Sequence, residues 1–238
     1  MNQRRRVRVR AAWRQATAAT GAALLAALTL GAAPAAAAES PEFDFDACPA
    51  LAELPADADP GTWRCEVMHA TGQLRIGRVT ARISEPMEVV FAEGRVNGEF
   101  RQVFGRLSSP PIRVDGAPLT LTPRYAGYSD FQGNDERRGE LAVSFGLRAG
   151  SLLPAGCAIG APDGGILFTL KDTAPTRVIS TNPLTVTFAA ADTAFAAPGT
   201  TDCGRLTPAL DAALGLPAPS GSNALELSAT VGIRPYAR

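Results

Sequence analysis

From Thr62 onward the chain alternates apolar and polar residues with a period of two, and glycine or proline breaks that alternation at short intervals. Trp63, Cys65, Val67 and His69 alternate with Arg64, Glu66, Met68 and Ala70. Successive side chains on a strand point to opposite faces, so the pattern predicts a strand that turns one face to a core. Leu74 and Ile76 keep one phase, while Val79, Ala81 and Ile83 keep the other. The slip falls at Gly77-Arg78, where a β-bulge is expected. Strand-like runs follow at 87–92, 111–114, 118–125, 140–148, 166–171, 183–190 and 224–234. Asn97-Gly98, Asp115-Gly116 and Asp163-Gly164-Gly165 supply turns between them.

The 23 glycines and 19 prolines therefore act as punctuation, and both residue types weaken a helix interior, which excludes a helical bundle. One short helix is expected near the C-terminus. Thr207 can cap it, Pro208 suits its first turn, Leu206, Leu210 and Leu214 share a face, and Gly215 ends it. Pro86, Pro118 and Pro183 open three similarly framed runs, as proline at strand starts does without any repeat. The expected fold is all-β: one antiparallel β-sandwich over 61–238, with two disulfides and one short C-terminal helix.

The first 38 residues read differently. Arginine occupies positions 4, 5, 6, 8, 10 and 14, a charge-free apolar stretch follows, and Ala-rich small residues end at Ala38. That order is the signature of a secretory signal peptide at 1–38. Arg6-Val7-Arg8 after Arg4-Arg5 points to the general secretory route rather than a twin-arginine one. Cleavage would leave 200 residues with 17 basic and 23 acidic groups, a net charge of −6. Nucleic acid and anionic membrane surfaces are poor partners for such a charge, and no transmembrane anchor is expected after cleavage. Residues 39–60 carry seven acids, no base and four prolines, which predicts an acidic extended lead-in pinned by Cys48.

All four cysteines, Cys48, Cys65, Cys157 and Cys203, lie beyond the leader. An even number in an exported chain predicts two disulfides. Three pairings are possible. Cys48–Cys65 with Cys157–Cys203 is favoured because the first two flank a short turn-rich stretch, and a metal or redox site lacks the close C-x-x-C spacing it would use. No metal and no cofactor is expected.

Functional signals are few. Tyr125, Tyr128 and Phe131 fall three apart in a polar stretch, YAGYSDFQGNDERRG, that also holds Asp130, Asn134 and Asp135. Aromatic faces stack on the C–H groups of a sugar while polar neighbours read its hydroxyls, so a glycan-binding loop at 125–138 is the concrete expectation, against the alternative that the rings fold back onto the sandwich. Asp130, Gln132, Asn134 and Glu136 alternate like calcium ligands, but Asp135 and Leu141 occupy the places where such a loop needs Gly and Glu. His69, the one histidine, continues the Trp63-Cys65-Val67 face and is expected to be half-buried and structural. No G-x-S-x-G elbow accompanies it.

The runs CPALAELPADADPGTWRCEVMHATGQLRIG and LGLPAPSGSNALELSATVGIRPY resemble exported, uncharacterised proteins of high-GC actinobacteria, along most of the stretch from Cys48 to Tyr236. The resemblance implies export and transfers no catalytic residue. Twenty-two arginines to one lysine fit such a source. The expected function is that of a non-catalytic exported β-sandwich, extracellular or associated with the cell envelope, with envelope glycan or another exported protein as partner. A hydrolase using the loop carboxylates and a structural or protein–protein module are the alternatives.

Overall fold

The strand from Ile166 to Thr181 belongs to two sheets and joins them. The computed structural model describes residues 42–134 and 136–237, so the leader expected at 1–38 and Asp135 lie outside the described residues. The strands are β1 (Arg64–Ile76), β2 (Val79–Val96), β3 (Glu99–Ser108), β4 (Ile112–Arg113), β5 (Thr120–Asp130), β6 (Gly139–Arg148), β7 (Ala158–Ile159), β8 (Ile166–Thr181), β9 (Leu184–Asp192), β10 (Thr200–Thr201) and β11 (Ala224–Pro235). The first sheet has the order β3-β2-β1-β11-β9-β8 and the second holds β8, β6, β5, β4, β7 and β10. The first half of β8 pairs with β6 and its second half with β9. A bridge between Ala81 and Val114 brings β2 back to β4 on the opposite side. All ladders are antiparallel. The fold is the expected antiparallel β-sandwich.

Between the sheets lies one continuous core. Met68, Ala70, Leu74 and Ile76 of β1 and Leu225, Leu227 and Val231 of β11 face Leu141, Val143 and Phe145 of β6 and Phe168 and Leu170 of β8. The inward phase of β1 is thus the even one. Trp63, Cys65 and Val67 are also buried, on the outer face. Their cover is the lead-in. Phe43, Phe45, Ala47 and Cys48 pack on Cys65 and Val67, and Leu54 packs on Trp63. The segment is not simply extended, since it turns through three short 3₁₀ segments, Phe45–Ala47, Leu51–Glu53 and Pro60–Thr62. Each large apolar side chain so covered contributes about 1.5–3 kcal/mol relative to exposure.

Several contacts hold the lead-in down. The disulfide Cys48–Cys65 spans 17 residues, and Cys157–Cys203 spans 46 on the other side of the molecule. Closing those loops in the unfolded chain is worth roughly 3 and 4 kcal/mol in the loop-entropy view. Tyr236 donates its hydroxyl to the Pro49 carbonyl at 2.7 Å, and burial pushes that phenol up to about 12. Arg234 lies over the Phe45 ring and donates to the Phe45 carbonyl at 3.0 Å.

Gly77-Arg78 corrects the expected bulge. It is the two-residue turn of the β1–β2 hairpin, and Gly77 there has φ +55° with no room for a Cβ, which would meet the Leu214 carbonyl oxygen at 2.4 Å. The phase changes because the chain reverses. The true irregularity of this pair lies where Ala70 pairs Met87 and Gly72 pairs Ile83, which loops out Ser84, Glu85 and Pro86. The predicted helix forms as α1 (Thr207–Leu214), preceded by a 3₁₀ turn at Gly204–Leu206 and closed by Gly215 in the left-handed region. Thr207 is its first residue rather than its cap, and of the three leucines only Leu214 is buried. The run 99–108, unassigned from sequence, is β3, the second arm of the Asn97-Gly98 hairpin.

Gly232 sits beneath the Phe43 ring, where an added Cβ would come to 2.5 Å from Cδ2. Gly232→Ala should therefore lift the lead-in and cost about 1–3 kcal/mol as an overpacking change, read from the urea midpoint at constant slope.

Candidate functional site

The stretch singled out in the sequence is divided by the fold. β5 runs on through Asp130, so Tyr125, Tyr128 and Asp130 belong to a strand and the loop proper begins at Phe131. Tyr125 pairs with Val143 and Ser129 with Leu141, leaving Ala126, Gly127 and Tyr128 as a bulge opposite Ala142. The three aromatic rings do not form one platform. Tyr125 stacks on Phe104 at 3.8 Å and Phe131 on Phe91 at 4.4 Å, and both pack against the core. Tyr128 remains 45% exposed. Its hydroxyl donates to Glu140 at 3.0 Å, and that bond to a carboxylate raises the phenol above its ordinary value. Arg137 bridges Asp130 at 2.5 Å and Glu140 at 2.8 Å. Asn134 caps its own turn, accepting from the backbone N–H groups of Glu136 and Arg137. Asp130 and Glu140 are thus held in ion pairs by Arg137.

A larger concave surface lies on the outer face of the first sheet, beyond the contact of Phe43 with His69. Its floor is a set of side chains in direct register across four strands: His69–Thr230–Thr187–Arg177, then Thr71–Ser228–Ala189–Ala174, then Gln73–Glu226–Ala191–Lys171. Small residues in the central row leave a trough instead of a charged cover. One side rises to the outlying half of β8 and the other to the loop-out at Ser84–Pro86 in β2. Two adjoining depressions of about 970 and 480 Å³ occupy it, sharing Thr71, Ala189 and Ser228. Arg82, Lys171 and Arg177 stand at its margin, and among the described residues none of them is in an ion pair. His69 closes one end, half-buried as expected, with Phe43 stacked on its ring at 5.1 Å and Nε2 3.3 Å from Glu88.

Between the sheets, at the end where β1 begins, a cavity of about 400 Å³ opens against Arg64, Glu66 and Glu93. Glu93 is 6% exposed and takes hydrogen bonds from Arg64 and from Gln102, the latter at 3.1 Å. Arg64 also donates to Glu66 at 2.8 Å. Burial foremost, and then the neighbouring Glu93 charge, push the Glu66 carboxyl up to about 7. Phe131, Gln132 and Gly133 of the 131–138 loop form part of the cavity wall. None of the carboxylates here was singled out from sequence. The available signal was the phase of Arg64 and Glu66, which share the Met68 and Ala70 side of β1, but that side was not recognised as the inner one.

Among the described residues no cluster of three or more His, Cys, Asp or Glu side chains is placed to hold a metal. No helix there is long and apolar enough to cross a membrane. In comparisons with known proteins, no family model, no curated protein and no solved structure matches the chain. Function is read from geometry alone.

Because Glu66 keeps its proton longer in the folded state than an ordinary carboxyl near 4.5, the folded protein binds more protons than the unfolded chain between about 4.5 and about 7. That contribution is favourable below this window and is lost as pH rises through it. Wild-type protein should lose roughly 2–3 kcal/mol more than Glu66→Gln between pH 5 and pH 8, measured by urea unfolding of both.

Proposed function

We propose that the mature chain is an exported, non-catalytic binding module of the cell envelope or extracellular space, and that it holds a glycan chain in the trough of the first sheet. The two disulfides support an oxidising, non-cytoplasmic location. The single observation carrying the ligand class is the trough itself: a sheet face left open by the described residues and floored by Thr71, Thr187, Ser228, Thr230 and three alanines, with Gln73 and Glu226 at one end. Hydroxyl, amide and carboxylate groups in one concave row can exchange hydrogen bonds with a polyhydroxylated chain, whereas an apolar partner would leave them unpaired. The net charge of −6 after leader removal disfavours nucleic acid. The expected loop platform reduces to Tyr128, whose hydroxyl is already bonded to Glu140, so the sheet face is the better seat.

Retention of the mature protein on insoluble cell-wall glycan and on immobilised polysaccharides tests the reading. Ser228→Trp should fill the trough and reduce retention at least tenfold, since Ser228 is exposed and in its central row. Tyr128→Ala should leave retention within twofold. Loss with Tyr128→Ala and none with Ser228→Trp would move the site to the loop, and no retention of wild type on any glycan would end the proposal.

A further inference from the structure

The cavity between the sheets has two acids and one base at its polar end. Glu66 and Glu93 share the Arg64 guanidinium, and the two carboxyls lie close enough to share a proton. Two other cations line the cavity, and both are engaged elsewhere. Arg138 is held bidentate by Asp172 at 2.7 and 2.5 Å and lies on the Phe188 ring at 4.7 Å. Arg95 donates to the Gly98 carbonyl at 2.7 Å, in the exposed turn of the β2–β3 hairpin. The elements that complete the wall, β9 and β11, contribute Val186, Phe188, Val231 and Ile233 and no charge. Two carboxyls at the polar end thus have a single guanidinium in direct contact.

The rest of the cavity is apolar and rich in ring faces, with Phe91, Phe100, Phe131 and Phe188 around it. A smaller, wholly apolar space of about 40 Å³ lies deeper in the core, and Met68, Phe131 and Leu170 line both spaces. A volume of about 400 Å³ falls in the range that takes a small organic ligand. Aromatic faces also attract a cation brought near them.

We propose that this cavity binds a small amphipathic organic cation, with an ammonium head between Glu66 and Glu93 and an apolar body laid along Phe91, Phe131 and Phe188 toward Met68. The head gives the two carboxyls a second cation. In its absence Glu66 keeps a proton more tightly than an ordinary carboxyl, because burial foremost and then the Glu93 charge push it up to about 7. Cation binding must then displace the proton. No chemistry is implied, and the site is independent of the trough: it lies on the opposite side of the first sheet.

Calorimetric titration of the mature protein with hexylammonium, hexanol and hexanoate tests the proposal. Hexylammonium should bind saturably, with the two other probes at least tenfold weaker. Proton release should appear as a dependence of the heat on buffer ionisation enthalpy at pH 6.5. Affinity should rise about 20-fold from pH 5.5 to pH 7.5, since a bound cation competes with one proton of pKa about 7. Glu66→Gln should weaken hexylammonium at least tenfold and abolish the pH dependence. Equal binding of hexanol, preferred binding of hexanoate, a flat pH profile of the wild type, or unchanged affinity in Glu66→Gln would each overturn the assignment. If Glu66→Gln does not fold, the wild-type probe ranking and pH profile decide. Glycan retention is unaffected by any of these outcomes, so the two proposals fail separately.

Discussion

Backbone pairing through β8 is the constraint on which the rest of the structure depends. A buried N–H or C=O without a partner costs about 1–3 kcal/mol, so two sheets stacked face to face must satisfy their ladders without exposing long edges to the core. Here Ile166–Leu170 pairs with β6 in one sheet and Lys171–Thr181 with β9 in the other. The two sheets are therefore one hydrogen-bonded surface folded over. With β2 returning to β4 at Ala81–Val114, inward-facing residues from both sheets are brought over one core. The register across β1, β11, β9 and β8 is what aligns the floor of the trough, because side chains opposite one another on a ladder share a face.

The second organising feature is the lead-in. A sandwich sheet normally turns one face to water, yet β1 buries both faces along its first half. Trp63, Cys65 and Val67 would be an apolar patch without Phe43, Phe45, Ala47 and Leu54 over them. Cys48–Cys65 fastens that cover where it matters, directly onto the strand it protects. Among the described residues the cover reaches the Phe43–His69 contact, and the trough lies on the remainder of the same face.

Burial on both faces also explains the inter-sheet cavity. Arg64 and Glu66 point inward because Trp63 and Cys65 are held outward. An inward charge survives only with partners, and the partners come from the neighbouring strands: Glu93 on β2 and Gln102 on β3. Burial foremost, and then the neighbouring Glu93 charge, leave Glu66 with a raised titration point. The 131–138 loop contributes to this wall through Phe131 and Gly133, a role for the stretch that its aromatic spacing did not suggest.

Much of the fold was legible locally. Period-two runs, turn dipeptides and the Thr207–Gly215 pattern reflect short-range steric and hydrogen-bonding rules, so the strand content, the short helix and a disulfide joining the lead-in to β1 follow from neighbouring residues. β3 was missed because Arg101, Gln102 and Arg106 interrupt its apolar residues on an edge strand half open to solvent. The hairpin turn at Gly77 reads as a bulge in the sequence because a change of phase looks alike for a bulge and a reversal. By itself the sequence determined that this chain is an all-β protein with paired cysteines and few candidates for catalysis. Tertiary structure alone decided which face of β1 is inside, that Tyr125 and Phe131 serve the core, and that Glu66 meets Glu93. Alternation defines two faces of a strand, and only long-range pairing and the chain lying over it determine which of them water reaches.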